Sequence, residues 1–202
     1  MADDARSRFI EAATRQFADK GFYGASVSSI AGEIGVSKQA VLHHFGTKER
    51  LYGEVLQKIS DRLLSRVIQD TVGAGSETRL EHLLVSLYDD GVTYVQDMQL
   101  LVRELLDNRR RSEQARSWYL KPFLDALIGL VQRTPGWEAT SDAQALAAVY
   151  QLLGAITYFT ISQPTLVRMF GKHEYGRLEA AFPVRLRALI RATLATPPST
   201  PS

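Results

Sequence analysis

The chain lacks the residues and motifs on which many catalytic and structural sites depend. It contains no cysteine, which excludes disulfides and thiolate-ligated metal sites and fits a reducing compartment. It has no HExxH, no GxSxG and no Gly-rich phosphate loop. No apolar run approaches the ~18 residues of a membrane span, and the charged start of the chain has no secretory segment. We therefore expect a cytoplasmic protein without metal or cofactor that is neither an enzyme nor a membrane protein.

Composition places the chain among globular proteins without pointing to a partner. Hydrophobic residues make up 45% and charged residues 23% of 202 residues, and the formal net charge is only +2. The charge balance does not identify a nucleic-acid-binding protein. Residues 36–50 are more basic, with Lys38, Lys48 and Arg50 against Glu49. Phosphate neutralisation needs only a few cations that are well placed.

Apolar residues recur at helical spacing along the whole chain, and no segment shows the alternation of a strand. We predict an all-α protein of about nine helices. The fourth helix, starting after Thr47, is long enough to leave a first domain of residues 1–56 and enter a second of residues 57–195. Residues 196–202, rich in Pro and Ser, are predicted to be a disordered tail.

Residues 26–48 predict two short helices joined by a tight turn. Ser26 precedes an apolar stripe and can cap the first helix, and Gly35 can supply the left-handed backbone that ends it. Ser37 can cap the second helix, in which Ala40, Val41 and Phe45 are suited to packing inward. The outward face then carries Lys38, Gln39, Leu42, His43 and His44.

Such a pair has the pattern of a helix-turn-helix that reads DNA, since Gln can pair with adenine and Lys can reach guanine or a phosphate. An ordinary helical hairpin with a solvated second helix has the same spacing.

The wider block from Arg6 to Leu56 closely resembles the DNA-binding domain of TetR-family transcriptional regulators. The resemblance rests on motifs in the family order and spacing: Phe17 and the Gly21-Phe22-Tyr23-Gly24 turn, Ser26, Ile30-Ala31, Gly35-Val36-Ser37, residues 41–45 and Lys48-Glu49. The chain departs from the family at Leu42 and His44, where tyrosines usually contact phosphate. The resemblance covers about the first quarter of the chain.

The resemblance implies a ligand-responsive regulator that binds double-stranded DNA, most often a repressor working as a homodimer on a near-palindromic operator. The residues expected to contact DNA are Arg6, Ser26, Ser28, Ser37, Lys38, Gln39, Ala40, Leu42, His43, His44 and Lys48. Two alternatives stay open: Arg6 can be a solvated side chain in a frayed first turn, and His44 can pack against the first helix.

The resemblance also implies an effector pocket and a dimer interface in the second domain. The predicted pocket would hold a small apolar or aromatic effector among Tyr88, Tyr94, Arg103, Glu104, Trp118, Phe123, Tyr150 and Tyr158. Two late segments, residues 142–159 and 174–194, are expected to pair with those of a second subunit through Ala147, Gly154, Ala155, Leu186, Leu189 and Ile190. Each of these residues could instead belong to an ordinary core. The rival function is a helical protein that binds a small molecule or a partner but not DNA.

Overall fold

The computed structural model describes residues 2–69, 76–107 and 119–198, and side chains within these ranges for residues 5–69, 78–106 and 119–198. The described residues form eight helices and no strand, which confirms the all-α prediction. The helices are α1 (Ala2–Gly24), α2 (Val27–Glu33), α3 (Lys38–Phe45), α4 (Lys48–Gln69), α5 (Ser76–Thr93), α6 (Val95–Asp107), α7 (Lys121–Gln132) and α8 (Asp142–Leu194).

The chain divides into two compact units. The N-terminal unit comprises the residues up to Asp61 together with Gln96–Leu120, and the C-terminal unit comprises Arg62–Val95 together with the residues from Lys121 onward. The predicted boundary after residue 56 lies near Asp61, where the chain first passes from the N-terminal unit to the C-terminal unit. The return of α6 to the first unit was not predicted, because it depends on contacts between residues far apart in the sequence.

The N-terminal unit is held together by aromatic side chains of α1, α3 and α4. Phe17 of α1 and Phe45 of α3 are almost completely buried. Helix α1 is continuous in its assignment to Gly24, but its backbone is non-helical at Gly21, where φ is 70°. That conformation suits glycine. After it, the ring of Phe22 stacks on Phe17 with centroids 6.2 Å apart, and its centroid lies 5.1 Å from that of Tyr52 in α4.

The C-terminal unit packs α8 against α5 and α7. Helix α8 consists of two helical arms, residues 142–170 and 172–194, separated at Gly171 (φ 83°, ψ 158°). The first arm therefore continues past residue 159, where the first predicted segment ends, and through Pro164. The helix breaks where glycine permits a positive φ. The predicted second segment begins two residues later than the observed arm.

By length and composition alone, α8 is the one described helix that could cross a membrane. A buried core helix meets the same criterion, and Leu152, Ile156, Leu186 and Ile190 of α8 are among the core residues of the C-terminal unit. The break at Gly171 also divides the helix.

Polar contacts fasten the second arm of α8 to α5 and to the segment between α7 and α8. Glu81 of α5 is nearly buried and accepts hydrogen bonds from Arg191 at 2.7 and 2.9 Å and from Arg187 at 3.3 Å. The indole of Trp137 donates to the carbonyl of Leu194 at 2.8 Å. Part of the predicted tail is ordered by similar contacts: Thr196 donates to a carbonyl of α8, and Pro197 lies against Gly136. Residues 199–202 lie outside the described residues.

Candidate nucleic-acid interface

Helices α2 and α3 are positioned by caps that their own sequence encodes. The Ser26 hydroxyl accepts the Ser29 amide at 3.0 Å, and the Ser29 side chain in turn accepts the Ser26 amide, which makes a capping box. Gly35 has a φ of 71° and ends the turn as predicted. Ser37 accepts the Ala40 amide at 3.1 Å and starts α3. The predicted pair of short helices is therefore present at the predicted positions.

Helix α3 has one buried and one exposed face. Val41 and Phe45 are 1% exposed, whereas Lys38, Gln39 and His43 are exposed. Ala40 and Leu42, expected to point inward and outward respectively, are both half-buried at the edges of these faces. An eight-residue helix is about 12 Å long, close to the ~12 Å width of the DNA major groove. A helix of this size can be accommodated in the groove.

The two histidines at the end of α3 have different surroundings. The His44 ring lies 5.0 Å from the ring of Phe9 in α1, although His44 remains exposed overall. His43 is exposed, and the ring nearest to it is that of His44, at 5.9 Å. His44 thus makes the contact with the first helix that was left open as an alternative, while its exposed edge stays available to a ligand.

The cationic side chains predicted to contact phosphate differ in their contacts with the rest of the unit. Arg6 forms an ion pair with Glu54 of α4, and its guanidinium lies 5.2 Å from the ring centre of Phe45. It therefore joins three helices instead of fraying into solvent. The Lys48 ammonium lies 4.5 Å from the ring centre of Phe22, and partial burial lowers the pKa of Lys48 despite the opposing effect of Glu49. Lys38 is exposed.

A carboxylate that the sequence analysis did not single out fixes α2 against α1. Glu33 accepts hydrogen bonds from Arg15 at 2.6 Å and from Gln16 at 2.7 Å. Burial acts to raise the pKa of Glu33, but the hydrogen bonds from Gln16 and Arg15 outweigh it and lower the pKa. The charged form of Glu33 therefore braces the first helix of the pair. The spacing of 17 residues to Gln16 offers no local signal for it.

Helix α6 makes hydrogen bonds to α4 and α1. The Tyr52 hydroxyl donates to Glu104 at 2.5 Å, and Arg103 donates to the carbonyl of Asp19 at 2.8 Å. Arg103 and Glu104 had been predicted as polar anchors of an effector pocket in the second domain. Both instead bond within the N-terminal unit, because α6 belongs to that unit.

The other described residues of the predicted pocket are dispersed within the C-terminal unit. Tyr88 and Phe123 are buried, and burial raises the pKa of Tyr88. Tyr94 is 43% exposed beneath the guanidinium of Arg62, and Tyr150 and Tyr158 are exposed. Trp118 lies outside the described residues. Ring contacts within this unit bring together Tyr88, Phe159, Tyr175 and Phe182.

The residues predicted at the dimer interface separate into two groups. Ala147 and Gly154 are exposed, and Ala155 and Leu189 are half-buried. Leu186 and Ile190 are 2% and 0% exposed, so they lie in the core and not on the surface. Helix α8 carries six of the twelve large apolar side chains that are exposed among the described residues, including Tyr158 at 75%.

Comparison with known proteins finds a match to a protein family within the N-terminal unit. The model of the family "Bacterial regulatory proteins, tetR family" matches residues 9–55. The transcriptional activator FasR of Mycolicibacterium smegmatis is 29% identical over 142 residues, which are 68% of this chain and 63% of FasR, less than two thirds of that protein. The regulator UidR of Escherichia coli is 26% identical over 196 residues, covering 96% of this chain and 94% of UidR.

Solved structures show the same fold. The fatty acid degradation regulator FadR of Bacillus halodurans superposes with a TM-score of 0.71 at 18% identity, covering 94% of both chains. The likeness extends through both units and supports a helix-turn-helix domain followed by a larger helical region.

Proposed function

Because residues 9–55 match the model of the TetR family of bacterial regulatory proteins, we propose that the chain is a DNA-binding transcriptional regulator that responds to a small molecule. The observation that carries this proposal is α3, a helix capped by Ser37 and anchored by Val41 and Phe45, which leaves Lys38 and Gln39 exposed in its first turn. Recognition helices contact base edges mainly through their N-terminal residues. Gln39 is the residue suited to bidentate pairing with adenine.

The DNA contacts divide into base contacts and phosphate contacts. We assign base contacts to the exposed side chains of α3 and phosphate contacts to the groups at the ends of α2, α3 and α4. The full proposed set is Arg6, Ser26, Ser28, Ser37, Lys38, Gln39, Ala40, Leu42, His43, His44 and Lys48. Within it, Arg6 acts mainly by joining α1 to α4, since Glu54 already neutralises its charge.

Two copies of the chain form the DNA-binding species. A single helix-turn-helix covers little DNA, whereas a two-fold dimer presents two recognition helices to successive major grooves ~34 to 36 Å apart. The exposed apolar side chains of α8, together with Ala147 and Gly154, supply the surface for this pairing. The buried Leu186 and Ile190 support that surface from within.

The effector acts by favouring a state that binds DNA poorly. Helix α4 is one continuous helix from Lys48 to Gln69, so a displacement at either end of it moves the other. By linkage, DNA must weaken effector binding by the same factor by which effector weakens DNA binding. Named relatives include an activator and repressors. We propose that this chain represses transcription and that it does so in the cytoplasm, where the operator is. The proposed effector is apolar or aromatic.

The decisive experiment is a gel shift with the DNA upstream of the chain's own gene, repeated across a range of salt. A steep loss of binding between about 50 and 200 mM salt supports phosphate contacts. Gln39→Ala should cost ~1 to 3 kcal/mol on the operator and almost nothing on DNA of unrelated sequence. Lys48→Ala should weaken both equally. If the wild-type chain bound no DNA at any salt concentration, the rival function of a helical ligand-binding protein would replace this one.

A further inference from the structure

Arg50 lies beside the end of the recognition helix and was not among the residues expected to contact DNA. Its backbone amide donates to Thr47 at 3.2 Å in the first turn of α4. Its side chain turns back toward α3, and its Nη1 atom lies 3.3 Å from the position that a Cβ would occupy on Gly46. Gly46 directly follows the last residue of α3, so the absence of a side chain there leaves room for the guanidinium.

The charge of Arg50 is not neutralised within the described part of the chain. Arg6 pairs with Glu54, Arg15 pairs with Glu33, and the Lys58 ammonium lies 3.9 Å from Glu11. No described acidic side chain forms an ion pair with Arg50, which is exposed. Glu49, its neighbour in sequence, is also exposed.

The position at the end of α3 is where a phosphate is expected. A recognition helix whose N-terminal residues contact base edges directs its C-terminal end toward the rim of the major groove. Phosphates line that rim, and guanidinium groups bind them through two parallel hydrogen bonds. Lys48 is less available, because its ammonium is half-buried over the ring of Phe22.

We infer that Arg50 contacts a DNA phosphate beside the C-terminal end of α3. The inference rests on the proposed DNA-binding function and adds a residue to it. Such a contact carries no sequence information, so it strengthens binding to every DNA and steepens the salt dependence. A dimer would make the contact twice.

The test measures binding of the full-length Arg50→Ala variant to two duplexes of about 30 base pairs, the operator and an unrelated sequence, across a salt series. Lys58→Ala is the matched control, because it removes the same charge from the same helix, eight residues farther along. We expect Arg50→Ala to reduce the slope of log K against log salt by about 2 per dimer. In salt of about 50 mM, binding to both duplexes should fall by similar factors, with the thermal melting temperature unchanged.

The outcomes separate the inference from the function on which it rests. If the wild-type protein binds with steep salt dependence but Arg50→Ala changes the slope no more than Lys58→Ala does, Arg50 makes no phosphate contact. A loss confined to the operator would also overturn the inference, because it would indicate a base contact. If the wild-type protein binds neither duplex, the proposed function itself fails. Arg50→Lys should retain the slope while binding less tightly, since an ammonium keeps the charge but not the paired donors.

Discussion

Replacing Gly154 with tryptophan should dissociate the dimer without unfolding the subunit. Gly154 is exposed on the first arm of α8, and a Cβ built there meets no heavy atom within 4 Å. The subunit therefore has room for the new side chain. Tryptophan also has a higher helix propensity than glycine, by roughly 0.5 kcal/mol, so the helix itself should not weaken.

The effect on the dimer should be much larger. A large residue inserted into a well-packed contact costs about 1 to 3 kcal/mol, and two-fold symmetry places it there twice. A total of about 2 kcal/mol already weakens association about 30-fold. Sedimentation velocity at micromolar concentration should show a shift from dimer to monomer.

Gly154→Ala is the matched control, because it adds only the Cβ that the subunit accommodates. It should remain dimeric and melt at an equal or slightly higher temperature. If Gly154→Trp is folded by circular dichroism and still sediments as a dimer, the interface does not pass through Gly154. In that case the exposed apolar face of α8 has another role.

Three further predictions follow from the charged and aromatic contacts. His43→Phe should lose operator binding at an unchanged melting temperature. His44→Phe should retain the ring contact with α1, so a loss of operator binding without a lower melting temperature would assign His44 to a DNA contact. Glu54→Gln should release Arg6 and remove a negative charge near the DNA, strengthening binding to all sequences at low salt; unchanged binding would contradict this. Glu81→Gln should lower the melting temperature by a few degrees near neutral pH and remove the acid sensitivity that this carboxylate confers, as thermal melts across pH would show.

The sign of the pH effect follows from the hydrogen bonds of Glu81. Donation from Arg191 and then Arg187 lowers the pKa of Glu81 below its ordinary value of 4.5, although burial opposes this. A carboxyl group whose folded-state pKa is lowered stabilises the protein fully at pH values above its unfolded pKa. That stabilisation is lost as the pH falls below 4.5 and through the folded-state value. A wild-type melting temperature no more acid-sensitive than that of Glu81→Gln would contradict this account.

The sequence alone determined the local architecture of the DNA-binding pair. Caps such as Ser26 and Ser37 act on amides three residues away, and the turn at Gly35 depends on the conformational freedom of that residue. Such features are encoded within a few positions, so their bounds could be predicted. The motifs that identify the family lie in the same short block for the same reason.

Only the tertiary structure decided which distant residues meet. Arg6 and Glu54 are 48 positions apart, and Tyr52 and Glu104 are 52 apart. No local pattern marks such pairs, and this is why the bonding of Arg103 and Glu104 within the N-terminal unit could not be predicted. Exposure is likewise a property of the packed chain: Gly154 and Ile190 both fit an interface by residue type, but the first is open to solvent and the second is enclosed by its own unit.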